Sequence, residues 1–124
     1  MIKKSVSTSP DLAKKALEAI DEVKGREILS IDLRNIPNSV SDFFIICHGT
    51  SDTHVEAIAH SVQKYLYTEA GESPVSKEGS DTADWILLDY FNVVVHVFKE
   101  EARRFYNLEK LWADADVNHL EHTF

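Results

Sequence analysis

The run Asp42-Phe43-Phe44-Ile45-Ile46-Cys47-His48-Gly49-Thr50-Ser51-Asp52 decides the fold. Phe43 to Cys47 is continuously apolar, as a strand is when both of its faces are covered, and this predicts the central strand of a sheet packed on two sides. Gly49 to Asp52 then reads as a turn into a long helix. Val55, Ile58, Ala59, Val62 and Leu66 share one face of that helix, Thr53 and Glu56 have the spacing of a capping box, and Gly71 is its stop.

Upstream, Ser9-Pro10-Asp11 has the chemistry of a helix start: Ser9 to cap, Pro10 preset for the first helical position, Asp11 favoured at the positive end of the dipole. Leu12, Ala16, Ala19, Ile20 and Val23 recur at spacings of three and four, and Gly25 follows. Glu27 to Leu33 alternates, with Leu29, Ile31 and Leu33 on an apolar face and Ile28, Ser30 and Asp32 on a mixed one, which predicts a strand. Pro37-Asn38-Ser39 breaks the chain before Asp42.

Downstream of Gly71, a polar and acidic connection runs through Ser73-Pro74 and Gly79-Ser80. Trp85 to Tyr90 and Val93 to Phe98 are β-rich runs separated by Phe91-Asn92, which predicts a hairpin. Phe resists the positive φ of a two-residue turn, so a longer connection is expected. Glu100 to Trp112 is expected as a closing helix whose apolar face is Ala102, Phe105, Leu108, Leu111 and Trp112. The order implies an α/β fold with a mixed sheet flanked by helices. Residues 1–9 are expected to be flexible, 10–114 to form the domain, and 115–124, with little periodicity, to be a frayed tail.

The chain has 124 residues, 44% hydrophobic and 27% charged, which is the size and make-up of one globular domain and excludes a disordered or collagen-like chain. No apolar run approaches the ~20 residues of a membrane helix. Residues 1–9 hold neither the apolar core of a secretory signal nor an Arg. Cys47 is the single cysteine, so no internal disulfide forms, and the cytoplasm is the expected compartment. The net charge of −8 argues against direct nucleic-acid binding, which relies on Lys and Arg, and towards a basic macromolecular partner. Glu69 to Asp89 concentrates that charge: Glu69, Glu72, Glu78, Asp81, Asp84 and Asp89 against Lys77 alone. A solvated loop that keeps the protein soluble would look the same.

The candidate chemistry is thin. His54 and His60 are six apart in one helix and so on different faces, whereas a helical metal pair needs four. His96 lies within a strand, and His119 and His122 lie in the weak tail. No metal, cofactor or catalytic group is expected. Cys47 and His48 are neighbours in a strand and point to opposite faces, which removes a nucleophile–base pair and leaves Cys47 as a small buried hydrophobe. Gly49-Thr50-Ser51-Asp52, at a strand-to-helix junction, suits a phosphate on the helix N-terminus, and a small nucleotide-binding or nucleotidyltransferase-like enzyme is the alternative reading. It lacks the Lys and second glycine of a Walker loop and the three glycines of a dinucleotide loop. A helix capped by Ser51 or Asp52 explains the same residues.

The hairpin is the remaining candidate. Trp85, Leu87 and Asp89 share one face of its first strand, and Ile86, Leu88 and Tyr90 the other. If the second set covers the core, Trp85 and Leu87 are outer-face anchors ringed by acids, a suitable contact for a basic protein. The reverse assignment buries Trp85, and the pattern leaves both open.

Taken together, several pieces resemble the ribosomal silencing factors, or Iojap-like proteins. They are Asp42 to Ile46, Gly49-Thr50-Ser51-Asp52-x-His54-Val55-x-Ala57-Ile58-Ala59, Glu78-Gly79, Trp85 to Tyr90 with Val93 to Phe98, and Arg103-x-Phe105-Tyr106-x-Leu108-Glu109-x-Leu111-Trp112. With the preceding helix they span about Leu12 to Asp114. Phe91-Asn92 departs from the Gly-Asp expected there. The resemblance implies a nucleotidyltransferase-like shape without its catalytic carboxylates. It also implies binding to the large ribosomal subunit through its fourteenth protein, blocking small-subunit joining and repressing translation when nutrients are short. Trp85, Leu87, Asp89, Tyr90, Glu78, Asp81 and Asp84 are then the expected partner-binding residues. A homodimer joined through the hairpin's edge is compatible with this reading.

Overall fold

Helix α1 (Ser9–Glu22) begins one residue earlier than its sequence pattern suggests, because the cap is Thr8, whose hydroxyl accepts from the Asp11 amide. Ser9 is used differently: its hydroxyl donates to Asp42 Oδ2 at 2.6 Å and ties the start of α1 to the entrance of the central strand. The structure is a computed structural model and describes residues 8–79, 81, 83–112 and 115–119. Most of the segment expected to be flexible, residues 1–7, lies outside them.

After α1 come β1 (Arg26–Asp32), β2 (Phe43–Gly49) and α2 (Asp52–Ala70), then β3 (Ser76–Glu78), β4 (Trp85–Asp89), β5 (Val93–Lys99), α3 (Glu100–Tyr106), a 3₁₀ turn (Leu108–Trp112) and β6 (Asp116–His119). The strands form one sheet in the order β3-β4-β5-β2-β1-β6. β2 and β5 are parallel and the other pairs antiparallel, so the sheet is mixed, as expected.

Strand period decides which residue goes where. Ile28, Ile45, Cys47, Ile86, Leu88, Tyr90, Val95 and Val97 face α1 and α2 and form the larger core. Their sequence neighbours Leu29, Ile31, Phe44, Ile46, Val94 and Phe98 face the other way, into a second cluster that α3 and the 3₁₀ turn roof only in part. β2 is buried at every position, which accounts for the unbroken apolar run. Each fully buried Ile, Leu or Val contributes ~1.5–3 kcal/mol.

Four local expectations are corrected. The cap of α2 is Ser51, accepting from the His54 amide at 3.1 Å, so Thr53 and Glu56 lie inside the helix and form no capping box. The closing helix stops at Tyr106, because Asn107 takes a left-handed conformation (φ 50°), which Asn tolerates; Phe105 and Leu111 are consequently exposed and not core. The acidic connection contains β3, a polar edge strand with no alternating pattern to reveal it. It pairs with β4 from Leu87 to Asp89, so that stretch of the hairpin's edge is not open to a second copy. Within the tail expected to fray, Asp116–His119 pair with β1 as β6.

The hairpin connection is three residues long, as the resistance of Phe suggested: β4 ends at Asp89, β5 begins at Val93, and Phe91 has φ 75°. Asp89 Oδ1 accepts from the Phe91 amide at 2.7 Å and helps hold that conformation.

Candidate functional site

Ile86 and Leu88 of β4 go to the helical core, so Trp85, Leu87 and Asp89 stand on the opposite face, all half-buried. This selects one of the two assignments open from the pattern. Tyr90 belongs with the inward set: only 5% exposed and packed in the core, it is corrected out of the partner-binding residues.

Trp85 is held on three sides. Its ring lies 4.8 Å from those of both Phe98 and Tyr106, and its indole N–H donates to His96 Nδ1 at 3.1 Å. His96 is buried, and burial lowers its pKa to about 4, so its Nδ1 lone pair is available to Trp85 at neutral pH. Gly79 brings the preceding turn against this strand: it has φ 84°, and a Cβ there would run into the Trp85 carbonyl oxygen. A shallow pocket of 220 Å³ between Glu78, Gly79, Trp85 and Leu87 results.

The acidic residues divide into two kinds. Glu78 and Asp81 are exposed beside this pocket or its turn, with no cation paired to them among the described residues. Asp84 is exposed but engaged: Lys99 lies 3.5 Å from it and 2.7 Å from Asp52. Farther along the same face, Val40, Phe44, Leu87, Asp89, Phe91 and Val94 line a groove of 360 Å³, which His96 also borders.

The turn Gly49 to Asp52 is occupied by its own structure. The Thr50 amide donates to His54 Nδ1 at 3.0 Å, and His54 Nε2 donates to the Val23 carbonyl at 2.8 Å, joining this turn to the end of α1. Gly49 is needed for packing, since a Cβ would lie 2.9 Å from the Val55 nitrogen. Cys47 and His48 lie on opposite faces as expected. The Cys47 thiol is pushed up to about 12 by burial, whereas His48 Nδ1 accepts from the buried Arg103 guanidinium at 3.0 Å. Among the described residues no three His, Cys, Asp or Glu side chains come together as a metal site, and no helix is long and apolar enough to cross a membrane. In a larger cleft of 460 Å³ between α1 and α2, the Tyr65 hydroxyl donates to Glu18, Ser61 to the Ala19 carbonyl and Thr68 to the Lys64 carbonyl.

Two contributors escaped sequence reasoning. His96 reads as an ordinary sheet histidine, although its place on the outer parity of β5, level with Leu87, puts it within reach of Trp85. Arg103 enters the sequence reading only as part of the resemblance, with no role given, yet it is 2% exposed, pairs with Glu109 at 3.2 Å and bonds His48 of β2, fixing the 3₁₀ turn to the sheet.

The chain is matched over residues 6–123 by the family described as "Ribosomal silencing factor during starvation". It is 40% identical over 114 residues to a protein from Halalkalibacterium halodurans named ribosomal silencing factor RsfS, covering 92% of this chain and 96% of that one. A protein of the same name from Bacillus subtilis is 43% identical over 110 residues, 89% of this chain and 92% of the relative. A crystal structure of a Chromobacterium violaceum protein superposes with a TM-score of 0.81 at 33% identity, covering 95% of this chain and 92% of that one. With a family match across nearly all of its length and two close relatives bearing the same name, the chain belongs to the ribosomal silencing factor family.

Proposed function

We propose that the protein represses translation in the cytoplasm by binding the large ribosomal subunit through its fourteenth protein, on the face where the small subunit joins, and so keeping the subunits apart. The observation that carries this reading is the sheet face of Trp85, Leu87 and Asp89, half-buried and only partly roofed by α3, with a held aromatic anchor and, beside it, Glu78 and Asp81, which pair with no cation among the described residues. An aromatic anchor in an apolar setting with charges at its rim is the usual build of a protein-binding surface. The net charge of −8 favours a basic partner over nucleic acid.

The action is steric and has no catalytic step. A body of 14.1 kDa seated on the joining face needs only an affinity that competes with subunit joining, which an interface of about 800 Å² per partner supplies. The test is sedimentation with purified subunits. The protein is expected to travel with free large subunits and to lower the fraction of joined ribosomes in a reassociation assay; unchanged joining at saturating protein would overturn the reading.

A further inference from the structure

The groove at the far end of the binding face has a chemistry of its own. Its floor is apolar, built by Phe44, Leu87 and Val94, and its rims are the side chains of Val40, 84% exposed, and Phe91, 69% exposed. Beside Phe91 stands the Asp89 carboxylate, which accepts the Phe91 amide through Oδ1 and pairs with no cation among the described residues. An apolar trough ending in an unpaired carboxylate next to an exposed aromatic ring suits a long aliphatic stem that ends in a cation.

We infer that this groove seats one arginine side chain of the basic partner, its methylenes on Leu87 and Val94, its guanidinium stacked on Phe91 and forked onto Asp89. This rests on the proposed large-subunit reading for the identity of the partner. Arginine is favoured over lysine because a planar guanidinium stacks on a ring and bonds a carboxylate through two N–H groups at once, whereas an ammonium is a compact and more strongly hydrated point charge. A carboxylate has about four acceptor positions, so the bond from the Phe91 amide leaves room for both.

The groove is tested first without ribosomes. Nα-acetyl-arginine amide is titrated into the ¹⁵N-labelled full chain, with Nα-acetyl-citrulline amide, which has the same length but no charge, as the comparison. Millimolar arginine amide is expected to shift the amide signals of Asp89, Phe91 and Val94, citrulline amide is not, and the Asp89→Asn variant, which retains an acceptor for the Phe91 amide, is expected to lose most of the response. Equal shifts from both compounds, no shifts, or an unchanged response in Asp89→Asn would overturn the inference.

Purified large subunits provide the second arm. Phe91→Gly removes the stacking ring and relieves the positive φ, so it is expected to melt no lower than the parent and yet to bind roughly threefold more weakly, the scale of an exposed cation–π contact. Parental affinity in both Phe91→Gly and Asp89→Asn would overturn the inference. If the parent itself fails to bind large subunits, the proposed function falls, and the arginine titration still decides the groove.

Discussion

Trp85 and His96, eleven residues apart on neighbouring strands, are joined by an N–H···N hydrogen bond of 3.1 Å. Because the indole can only donate, Nδ1 must be the bare nitrogen of the imidazole and Nε2 carries the hydrogen. That Nε2 is buried and has no partner among the described residues. A protonated His96 would present a hydrogen to a donor and bury an unpaired charge, so the neutral ring is the form that orients Trp85.

Acid should therefore loosen the fold through His96. Its folded pKa of about 4 lies below the ordinary 6.5, so between those values the unfolded chain takes up a proton that the folded chain refuses. The contribution is fully present above pH 6.5 and is lost as pH falls towards 4. At 1.36 kcal/mol per unit the whole window amounts to about 3 kcal/mol. Urea unfolding at pH 7 and pH 4.5 measures it: in His96→Gln, which cannot titrate, the difference between the two pH values should shrink by ~2 kcal/mol or more. An undiminished difference would show that the acid sensitivity arises elsewhere.

The start of α2 makes a second prediction by contrast. Ser51 supplies the side-chain cap, whereas the exposed Asp52 only reaches the half-buried Lys99. Ser51→Ala should cost about 1 kcal/mol in chemical denaturation, and Asp52→Ala should leave the midpoint nearly in place. A larger loss from Asp52→Ala than from Ser51→Ala would reverse the assignment.

That cap also shows what a sequence can display. Both Ser51 and Thr53 have capping chemistry, and spacing alone does not choose between them; in the fold it is Ser51 whose hydroxyl accepts from the free His54 amide. The central strand was legible because burial on both faces leaves an unbroken apolar run from Phe43 to Cys47. β3 and β6 were not, because an edge strand is specified by its partner's free backbone groups, and Ser76-Lys77-Glu78 carries no alternation. The parity of Trp85, Leu87 and Asp89 was legible, but whether that parity faced the helices depended on where α1 and α2 packed. His96 and Arg103 were hidden because their roles come from side chains that only the fold brings to them, Trp85 of the neighbouring strand for His96 and His48 of β2 for Arg103.

The acidic residues should act mainly on the rate of encounter. Glu78 and Asp81 are exposed and free of paired cations among the described residues, whereas Asp84 shares Lys99 with Asp52. Charges at a rim steer a partner over about one Debye length, ~8 Å at physiological ionic strength. The double variant Glu78→Gln with Asp81→Asn should slow association with large subunits severalfold at low salt, leave dissociation nearly unchanged, and converge with the parent at high salt. Stopped-flow or surface-based kinetics across a salt series would show this, and an on-rate indifferent to both changes would mark the stretch as a solubility feature.

Trp85 carries the last prediction, and it has two parts because the ring is half-buried. Its contacts with Phe98 and Tyr106, each at 4.8 Å, and its bond to His96 support the fold as well as a partner. Truncation to Ala removes less than the ~3–5 kcal/mol typical of a fully buried Trp, so a stability loss of about 1–2 kcal/mol is expected and the variant should remain folded at room temperature. Affinity for large subunits should fall by ~2 kcal/mol or more, roughly thirtyfold, because an apolar anchor in a desolvated centre dominates such surfaces. Trp85→Phe separates the two effects. It retains much of the ring packing but loses the N–H to His96, so it should recover most of the stability while recovering binding only in part. Both variants are measured by melting and by binding to large subunits. A Trp85→Ala protein that stays folded and binds with parental affinity would place the interface elsewhere on the molecule, whereas one that loses the full core value would show that the ring serves the fold first.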